Sequence, residues 1–228
     1  VRMLLFRLRG WAIGRDRALL ALRSIKDNYS ARIAWYDDSM RAVLLEEQEM
    51  IGGIKEALED GQFVVYFQPQ YNYSRQTLYG AEALVRWNHP KKGMIPPARF
   101  IGIFERNGFI TRLDEYVWEE SCRYLRRWME EGRRDVPVSL SVNISRTDVF
   151  RVDLRAHFTE LIRRYDLPAD ALRLEITESA YMQSSEQLIG VVRELRAAGF
   201  TVEMDDFGAG YSSLNTLKDV PVNVLKLD

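Results

Sequence analysis

The sequence predicts an α/β fold with a mostly parallel sheet, and three observations support this. Beyond Gly61, short apolar runs typical of strands alternate with longer amphipathic stretches typical of helices. Such alternation is typical of either an open doubly wound sheet or a closed barrel. No glycine-rich turn follows the first strand candidate, as a Rossmann fold would require, and polar residues end most of the strands. The last two observations favour a barrel.

Composition places few limits on function. The 228 residues are 46% hydrophobic and 29% charged, which is ordinary for a globular protein with one large domain and a further fragment. Lys and Arg number 32 against 33 Asp and Glu, so no overall basic field points to a DNA or RNA polymer as a partner. The single cysteine, Cys122, cannot form an internal disulfide, and we expect a cytoplasmic protein.

Both ends of the sequence suggest a fragment. The apolar opening, Val1 to Leu8, is too short for a membrane span and is interrupted by Arg2 and Arg7. Any membrane anchor of a longer parent protein is therefore expected outside this chain. Position 1 is not methionine, and the sequence stops directly after the strand-like run at 222–227.

The region before Gly61 predicts two helices and a strand. Residues 15–26 have the helical spacing of apolar side chains, and residues 29–36 suggest a short strand. A polar, helix-prone stretch then runs from Asp38 to Asp60. We interpret this last stretch as a helix that links two units.

The region after Gly61 predicts further strands and helices. The six strand candidates are 63–67, 78–86, 138–143, 172–176, 201–205 and 222–227. A helix at 111–131 begins with a Thr111/Asp114 pair that resembles a capping box. A second helix at 185–198 ends at Gly199.

Acidic and amide side chains mark the strand candidates, most of them at the C-terminal ends. They are Glu82, Asn143, Glu175, Asp205, Asp206 and Asp228. In a parallel barrel these strand ends converge on the face where barrel enzymes keep their active sites. Oxygen ligands without His or Cys suit Mg²⁺ or Mn²⁺ rather than Zn²⁺. Two such ions can activate a water and clamp both oxygens of a phosphodiester displacement, with Lys226 beside them.

Each residue alone has a simpler interpretation. An Asp-Asp pair before Phe-Gly is commonly a solvated turn, and Asn143 could cap the segment that follows it. Glu178 fits the first turn of a helix, and Lys226 fits an exposed strand edge. His89 and His157 fit surface or packing positions. Asp-Phe-Gly also occurs in protein kinases, but no glycine-rich loop or His-Arg-Asp segment accompanies it here.

A series of six ordered motifs resembles the EAL family of cyclic-di-GMP phosphodiesterases. The motifs are YFQPQ at 66–70, EALVRW at 82–87, SVNIS at 141–145, LEITES at 174–179, DDFGAGYSSL at 205–214 and LKLD at 225–228. The signature triplet alone is weak, because Glu56-Ala57-Leu58 repeats it in the linker helix. The ordered series makes the resemblance specific.

The resemblance implies a TIM-like (β/α) barrel whose first strand is antiparallel to the rest. It implies hydrolysis of cyclic-di-GMP to linear pGpG with two Mg²⁺ or Mn²⁺ ions. The implied ligands of one cation are Glu82, Asn143, Glu175 and Asp205, while Asp205 and Asp206 reach the second; Asp228 is left unassigned. The implied substrate contacts are Gln68, Leu84 and Arg86. The implied catalytic residues are Lys226, at the attacking water, and Glu178, which steadies the loop after Asp206.

The family continues beyond the position of Asp228 with two more strand-helix units, which carry a further metal ligand and a motif near the substrate. We therefore expect an incomplete barrel, an unclosed sheet edge and impaired activity for this chain. Residues 1–45 resemble, less specifically, the C-terminal end of a GGDEF domain. The expected order is this remnant, a linker helix at 46–61 and a truncated EAL domain at 62–228.

The resemblance also implies partners and leaves alternatives open. Cyclic-di-GMP is the expected ligand, a homodimer through the EAL domain is expected, and an upstream GGDEF or sensor domain would act in cis. A catalytically inactive receptor that binds cyclic-di-GMP and a dimerisation module are the alternative functions.

Overall fold

The computed structural model describes residues 11–25, 33–132, 139–183, 185–208 and 221–227. The chain divides into two compact units, Val1–Ile54 and Lys55–Asp228. Within these described residues no helix combines the length and the apolarity that a membrane span requires.

The first unit confirms the two predicted helices but not the strand between them. Helix α1 spans Trp11–Ser24, and α2 spans Asp38–Glu59 and crosses the boundary between the units. The strand predicted at 29–36 is wrong over its described part, because residues 33–36 adopt no regular structure and pair with no described strand. A strand without a partner leaves its backbone groups unpaired. Residues 29–32 lie outside the described residues.

The second unit contains the predicted sheet. Its described strands are β1 (Phe63–Asn72), β2 (Thr77–His89), β3 (Gly93–Ile95), β4 (Leu140–Asn143), β5 (Leu172–Thr177), β6 (Thr201–Phe207) and β7 (Val224–Leu227). Six of these seven were predicted, with β1 and β2 longer than expected. Strand β3 was missed because three residues are too few to give a periodic pattern.

The sheet is mostly parallel and its first strand is reversed. The pairing order is β1-β2-β4-β5-β6-β7, and β3 pairs with β2. Strand β1 is antiparallel to β2, whereas each pair from β2 through β4, β5 and β6 to β7 is parallel. Among the described strands, β1 and β7 are therefore the two edge strands of this pairing order. The fold is therefore the expected incomplete TIM-like barrel with an antiparallel first strand.

Helices cover one face of this sheet. They are α3 (Pro97–Asn107), α4 (Ile110–Glu130), α5 (Arg146–Arg151), α6 (Leu154–Arg164), α7 (Glu178–Gln183) and α8 (Ser185–Ala197). Alternate strand residues such as Leu140, Leu174 and Val202 join Trp118 and Phe158 in one apolar core. Because side chains alternate between the faces of a strand, the intervening polar residues project from the opposite face.

The start of α4 differs from the sequence prediction. Its N-cap is Phe109, without a side-chain capping bond, and the hydroxyl of Thr111 is buried without a hydrogen-bond partner among the described residues. The predicted Thr111/Asp114 capping box is therefore wrong. Gly108, with φ of 73°, turns the chain directly from α3 into α4, and this turn sets the start of the helix.

A capping box does form at the start of α5. The hydroxyl of Ser145 accepts a hydrogen bond from the Asp148 N–H, and the Asp148 carboxylate accepts one from the Ser145 N–H. Asn143 is consequently not the cap of the segment that follows it. Its side chain is available for the opposite, polar face of the sheet.

Candidate active site

Strand register gathers the predicted acids on the polar face of the sheet. Glu82 of β2 lies opposite Ser141 of β4. Asn143 lies opposite Glu175 of β5, and Thr177 lies opposite Asp205 of β6. Parallel pairing keeps residues at matched heights on one face, so side chains far apart in sequence become neighbours.

Four of the predicted residues contact one another directly. The Asn143 amide Nδ2 donates to Glu82 Oε1 at 3.2 Å. The Lys226 ammonium donates to Glu82 Oε2 at 3.5 Å and to Glu175 Oε1. Glu175 has none of its surface exposed, and its Oε2 has no hydrogen-bond partner among the described residues. Strands β2, β4, β5 and β7 therefore each supply one member of a charged cluster.

Lys226 sits in an environment that weakens its hold on a proton. Burial is the largest cause that lowers the pKa of its ammonium, and the nearby Arg173 lowers it further. The Glu82 carboxylate opposes both effects, since a negative charge favours the protonated form. Lys226 is thus a cation whose charge depends on its carboxylate neighbours.

Asp205 and Asp206 lie where β6 departs from regular geometry. The register between β6 and β7 shifts between Met204 and Phe207, and Asp206 has a φ of 57°, in the left-handed region. Burial first, and then repulsion from neighbouring acids that include Asp206 and Glu82, raise the pKa of Asp205 above its ordinary value. A hydrogen bond from the Asp206 backbone only partly offsets them. Such backbone irregularities are common beside functional sites.

Glu178, at the start of α7, is tied to the segment after the two aspartates. Its Oε2 accepts a hydrogen bond of 2.9 Å from the Gly208 N–H. Gly208 belongs to the Asp-Asp-Phe-Gly segment and has a φ of 102°, which glycine adopts easily. The carboxylate and this tight turn therefore hold each other in place.

A cavity of about 650 Å³ lies beside the cluster. Two predicted substrate contacts, Leu84 and Arg86, line it together with Asn143. The Arg86 guanidinium also donates to the backbone oxygen of Val85 at 2.8 Å. Gln68 does not line the cavity; it is exposed on β1, opposite Glu82.

Two acids near the site were missed by sequence reasoning. Asp114 lines the cavity, and burial, followed by the Asp148 carboxylate, raises its pKa well above the ordinary value. The sequence pattern with Thr111 predicts only a helix cap for Asp114. Glu203 lies two residues before Asp205 on β6, so both project from the same face. Its spacing of two residues from Asp205 on the same strand was the signal that could have identified Glu203.

Some predicted positions lie outside the described residues. These are Asp228 and the part of the DDFGAGYSSL motif at 209–214. The two histidines fit packing positions, since the His89 and His157 rings lie 5.6 Å from Trp87 and 5.3 Å from Trp118 respectively.

Comparison with known proteins identifies the family. The family profile described as EAL domain matches residues 52–228. This chain belongs to the EAL domain family. Because the match covers most of the chain, the resemblance drawn from the six motifs is confirmed.

Relatives of this EAL domain include proteins named for cyclic di-GMP. MucR of Pseudomonas aeruginosa, a bifunctional diguanylate cyclase/cyclic di-GMP phosphodiesterase, is 33% identical over 208 residues, which is 91% of this chain and 30% of MucR. The cyclic di-GMP phosphodiesterase NbdA of the same organism is 37% identical over 183 residues, 80% of this chain and 23% of NbdA. The chain thus spans less than about a third of the length of these curated relatives.

A solved structure supports the same assignment. The PaMucR phosphodiesterase, in a complex with c-di-GMP, superposes with a TM-score of 0.73 at 34% sequence identity. The superposition covers 79% of this chain and 72% of that chain.

The phosphodiesterases of the EAL family depend on metal ions, and the residues present suit such an ion. The donors are carboxylate and amide oxygens, Glu175 keeps a buried oxygen without a partner, and Asp205 lies among acids that repel its charge. Among the described residues no three acidic, His or Cys side chains form a ready-made site. Lys226 contacts both Glu82 and Glu175, two of the residues that would hold the ion. The donor set therefore suits a divalent metal ion, provided that Lys226 gives up its hydrogen bonds to Glu82 and Glu175.

Proposed function

We propose that this EAL domain hydrolyses one phosphodiester of cyclic-di-GMP to give linear pGpG, using two Mg²⁺ or Mn²⁺ ions. The observation that carries this proposal is the convergence of Glu82, Asn143, Glu175 and Lys226 from four strands. That cluster lies beside a cavity lined by Arg86. Phosphodiester hydrolysis by this mechanism requires metal ligands, a positively charged group near the attacking water and a group that binds the phosphate.

The metal ligands in this proposal are the residues that the motifs assign. They are Glu82, Asn143, Glu175 and Asp205 for one ion, with Asp205 and Asp206 reaching the second. When bound, the ions supply activation of a water and stabilisation of the charge that develops on the phosphate oxygens. The protein's part is to hold five oxygen-bearing side chains on adjoining strands of one sheet.

Lys226 and Glu178 have separate tasks in this mechanism. Lys226 orients the attacking water with its ammonium, from a position already in contact with Glu82 and Glu175. Glu178 holds the Gly208 turn, and through it the backbone that carries Asp205 and Asp206. Loss of an outer contact of this kind commonly lowers metal affinity or activity by about 10–100-fold.

Substrate recognition is proposed for the cavity beside the acids. A volume of about 650 Å³ is in the range of small-molecule sites, roughly 300–1,000 Å³. Arg86 offers a planar guanidinium to a phosphate, and Leu84 offers apolar contact. Gln68 lies outside this cavity, on β1 opposite Glu82, and is proposed as a further substrate contact beside the acids. A homodimer through the EAL domain, an upstream domain in cis and a GGDEF-like origin for residues 1–45 complete the proposal.

The decisive experiment is a product assay on the full-length protein with cyclic-di-GMP. We expect pGpG to form with Mn²⁺ or Mg²⁺, to disappear with a chelator and to be lost in Glu175→Gln. The exposed Glu194→Gln on α8 is the matched control and should retain activity. Binding of cyclic-di-GMP without any pGpG, in the presence of Mn²⁺, would overturn the enzyme and favour a receptor.

A further inference from the structure

Glu203 is a third carboxylate beside the Lys226 ammonium. Its Oε2 lies 3.8 Å from Lys226 Nζ, and only 1% of the residue is exposed. None of the six motifs assigns it a role, and it does not line the cavity beside Arg86. It is therefore a charged residue buried next to the site without an assigned task.

The other contacts of Glu203 occupy both of its oxygens. Oε2 accepts a hydrogen bond from the Ser141 hydroxyl at 3.0 Å, and Oε1 accepts one from Arg173 Nη1 at 3.4 Å. Arg173 is itself buried, with its Cζ 3.9 Å from the centroid of the Tyr79 ring. These contacts hold the Glu203 side chain at a fixed position on β6, two residues before Asp205.

Stability alone is a weak reason for such an arrangement. A buried ion pair loses the hydration of both charges, and apolar residues of similar volume are often at least as stabilising. The pair also places its negative end within reach of Lys226, which an internal Arg-Glu pair does not require. The position of Glu203 is thus better explained by what it does to Lys226.

Lys226 and a divalent cation compete for the same oxygens. Lys226 donates to Glu82 and Glu175, which are both proposed metal ligands. A cation held by these carboxylates repels the ammonium and takes its acceptors. Of the three carboxylates that Lys226 contacts, Glu203 is the one that no motif assigns to a metal ion, and its oxygens already accept hydrogen bonds from Ser141 and Arg173.

We propose that Glu203 is a positioning residue that keeps Lys226 beside the active site when Glu82 and Glu175 bind metal ions. This inference rests on the proposed function. In the metal-free protein Lys226 forms ion pairs with Glu82, Glu175 and Glu203. In the metal-bound protein its ion pair with Glu203 remains. Loss of Glu203 then leaves Lys226 without a partner in the metal-bound state, so metal binding becomes weaker.

The test is a double-mutant cycle on Mn²⁺ affinity, measured on the full-length protein without substrate. The variants are Glu203→Gln, Lys226→Met and both together, with exposed Glu194→Gln as the matched control. We expect Glu203→Gln to raise the Mn²⁺ Kd about tenfold or more in the wild-type background and by less than about threefold when residue 226 is Met. The control should leave the Kd unchanged.

Equal factors in both backgrounds would overturn the inference, because a structural role of Glu203 does not depend on Lys226. If the wild-type full-length protein binds no Mn²⁺ at all, the proposed function fails and this inference fails with it. A wild type that binds Mn²⁺ with an additive cycle removes the inference alone. The two failures are therefore distinguishable.

A second variant guards against loss of folding. Glu203→Gln leaves the Arg173 charge uncompensated in a buried position, so Arg173→Met/Glu203→Gln removes both charges of the pair. It should raise the Mn²⁺ Kd as Glu203→Gln does, and again only while Lys226 is present. In the full-length enzyme, Glu203→Gln should lower kcat with little change in KM, since Glu203 does not line the cavity.

Discussion

The indole N–H of Trp118 donates a hydrogen bond of 2.9 Å to the backbone oxygen of Asn143. A fully buried residue of α4 thereby fixes the end of β4, which carries a proposed metal ligand. We predict that Trp118→Phe lowers the free energy of unfolding by about 1–3 kcal/mol, from the lost bond and the lost volume. Denaturant unfolding measures this. Trp128→Phe, on the same helix but only partly buried, should lower the free energy of unfolding by less. An equal loss in the two variants would contradict the role of the Trp118–Asn143 hydrogen bond.

Glu178 offers a prediction about the turn at Gly208. Glu178→Ala removes the acceptor that lies 2.9 Å from the Gly208 N–H, so the backbone bearing Asp205 and Asp206 loses a support. We expect kcat of the full-length enzyme to fall about 10–100-fold in Glu178→Ala. The fall in kcat should be smaller in Glu178→Gln, because the amide oxygen can still accept the hydrogen bond from Gly208. Glu186→Ala, at the first turn of α8, is the control. Equal activity of the Ala variant and the wild type would refute the role.

Arg86 offers a prediction about recognition. Arg86→Ala should raise the Kd of cyclic-di-GMP at least about tenfold, since it removes a charge-assisted contact to a phosphate, and it should change kcat less. Arg86→Lys keeps the positive charge but loses the planar guanidinium that can bind two phosphate oxygens at once. Its Kd for cyclic-di-GMP should therefore lie between those of the wild type and Arg86→Ala. Calorimetry with exposed Arg193→Ala as the control measures this. Unchanged binding by the Ala variant would favour a dimerisation module over a dinucleotide site.

Thr111 offers a prediction that does not depend on function. Its hydroxyl is buried without a hydrogen-bond partner among the described residues, at a helix start where it makes no capping bond. Thr111→Val keeps the shape and removes the unsatisfied group, so we expect a gain of about 1 kcal/mol in the free energy of unfolding. A true cap would instead lose about 1 kcal/mol. Denaturant unfolding of the two proteins separates these outcomes by their sign.

Much of the site could be predicted because strands follow a simple period. Glu82 lies inside β2, whereas Asn143 and Glu175 end β4 and β5; parallel pairing places all three on one face. Apolar runs located those strands, and the ordered motifs located the residues within them. Neither step requires knowledge of the packed structure. That is why the arrangement of the acids could be inferred from the sequence alone.

The remaining features depend on packing that no local pattern encodes. The partner of Glu203 is Arg173, 30 residues away, and the pair meets only because β5 and β6 adopt one particular register. The start of α4 follows from the turn at Gly108 rather than from the Thr111/Asp114 pattern. Strand β3 exists only because β2 is present to pair with it.

Asp205 links the metal site to stability. Burial, and repulsion from Asp206, Glu82 and Glu203, raise its pKa, so the metal-free fold binds the proton more tightly than the unfolded chain does. The ionised carboxylate therefore destabilises the fold above this raised pKa, and the penalty disappears as pH falls to the ordinary value of 3.8. Asp205→Asn should raise the Tm of the metal-free protein by about 1–2 °C near neutral pH, and the difference should shrink towards about pH 4. The same variant should lose Mn²⁺ binding. A lower Tm of Asp205→Asn at neutral pH would mean that burial and the neighbouring acids do not destabilise the ionised Asp205 carboxylate.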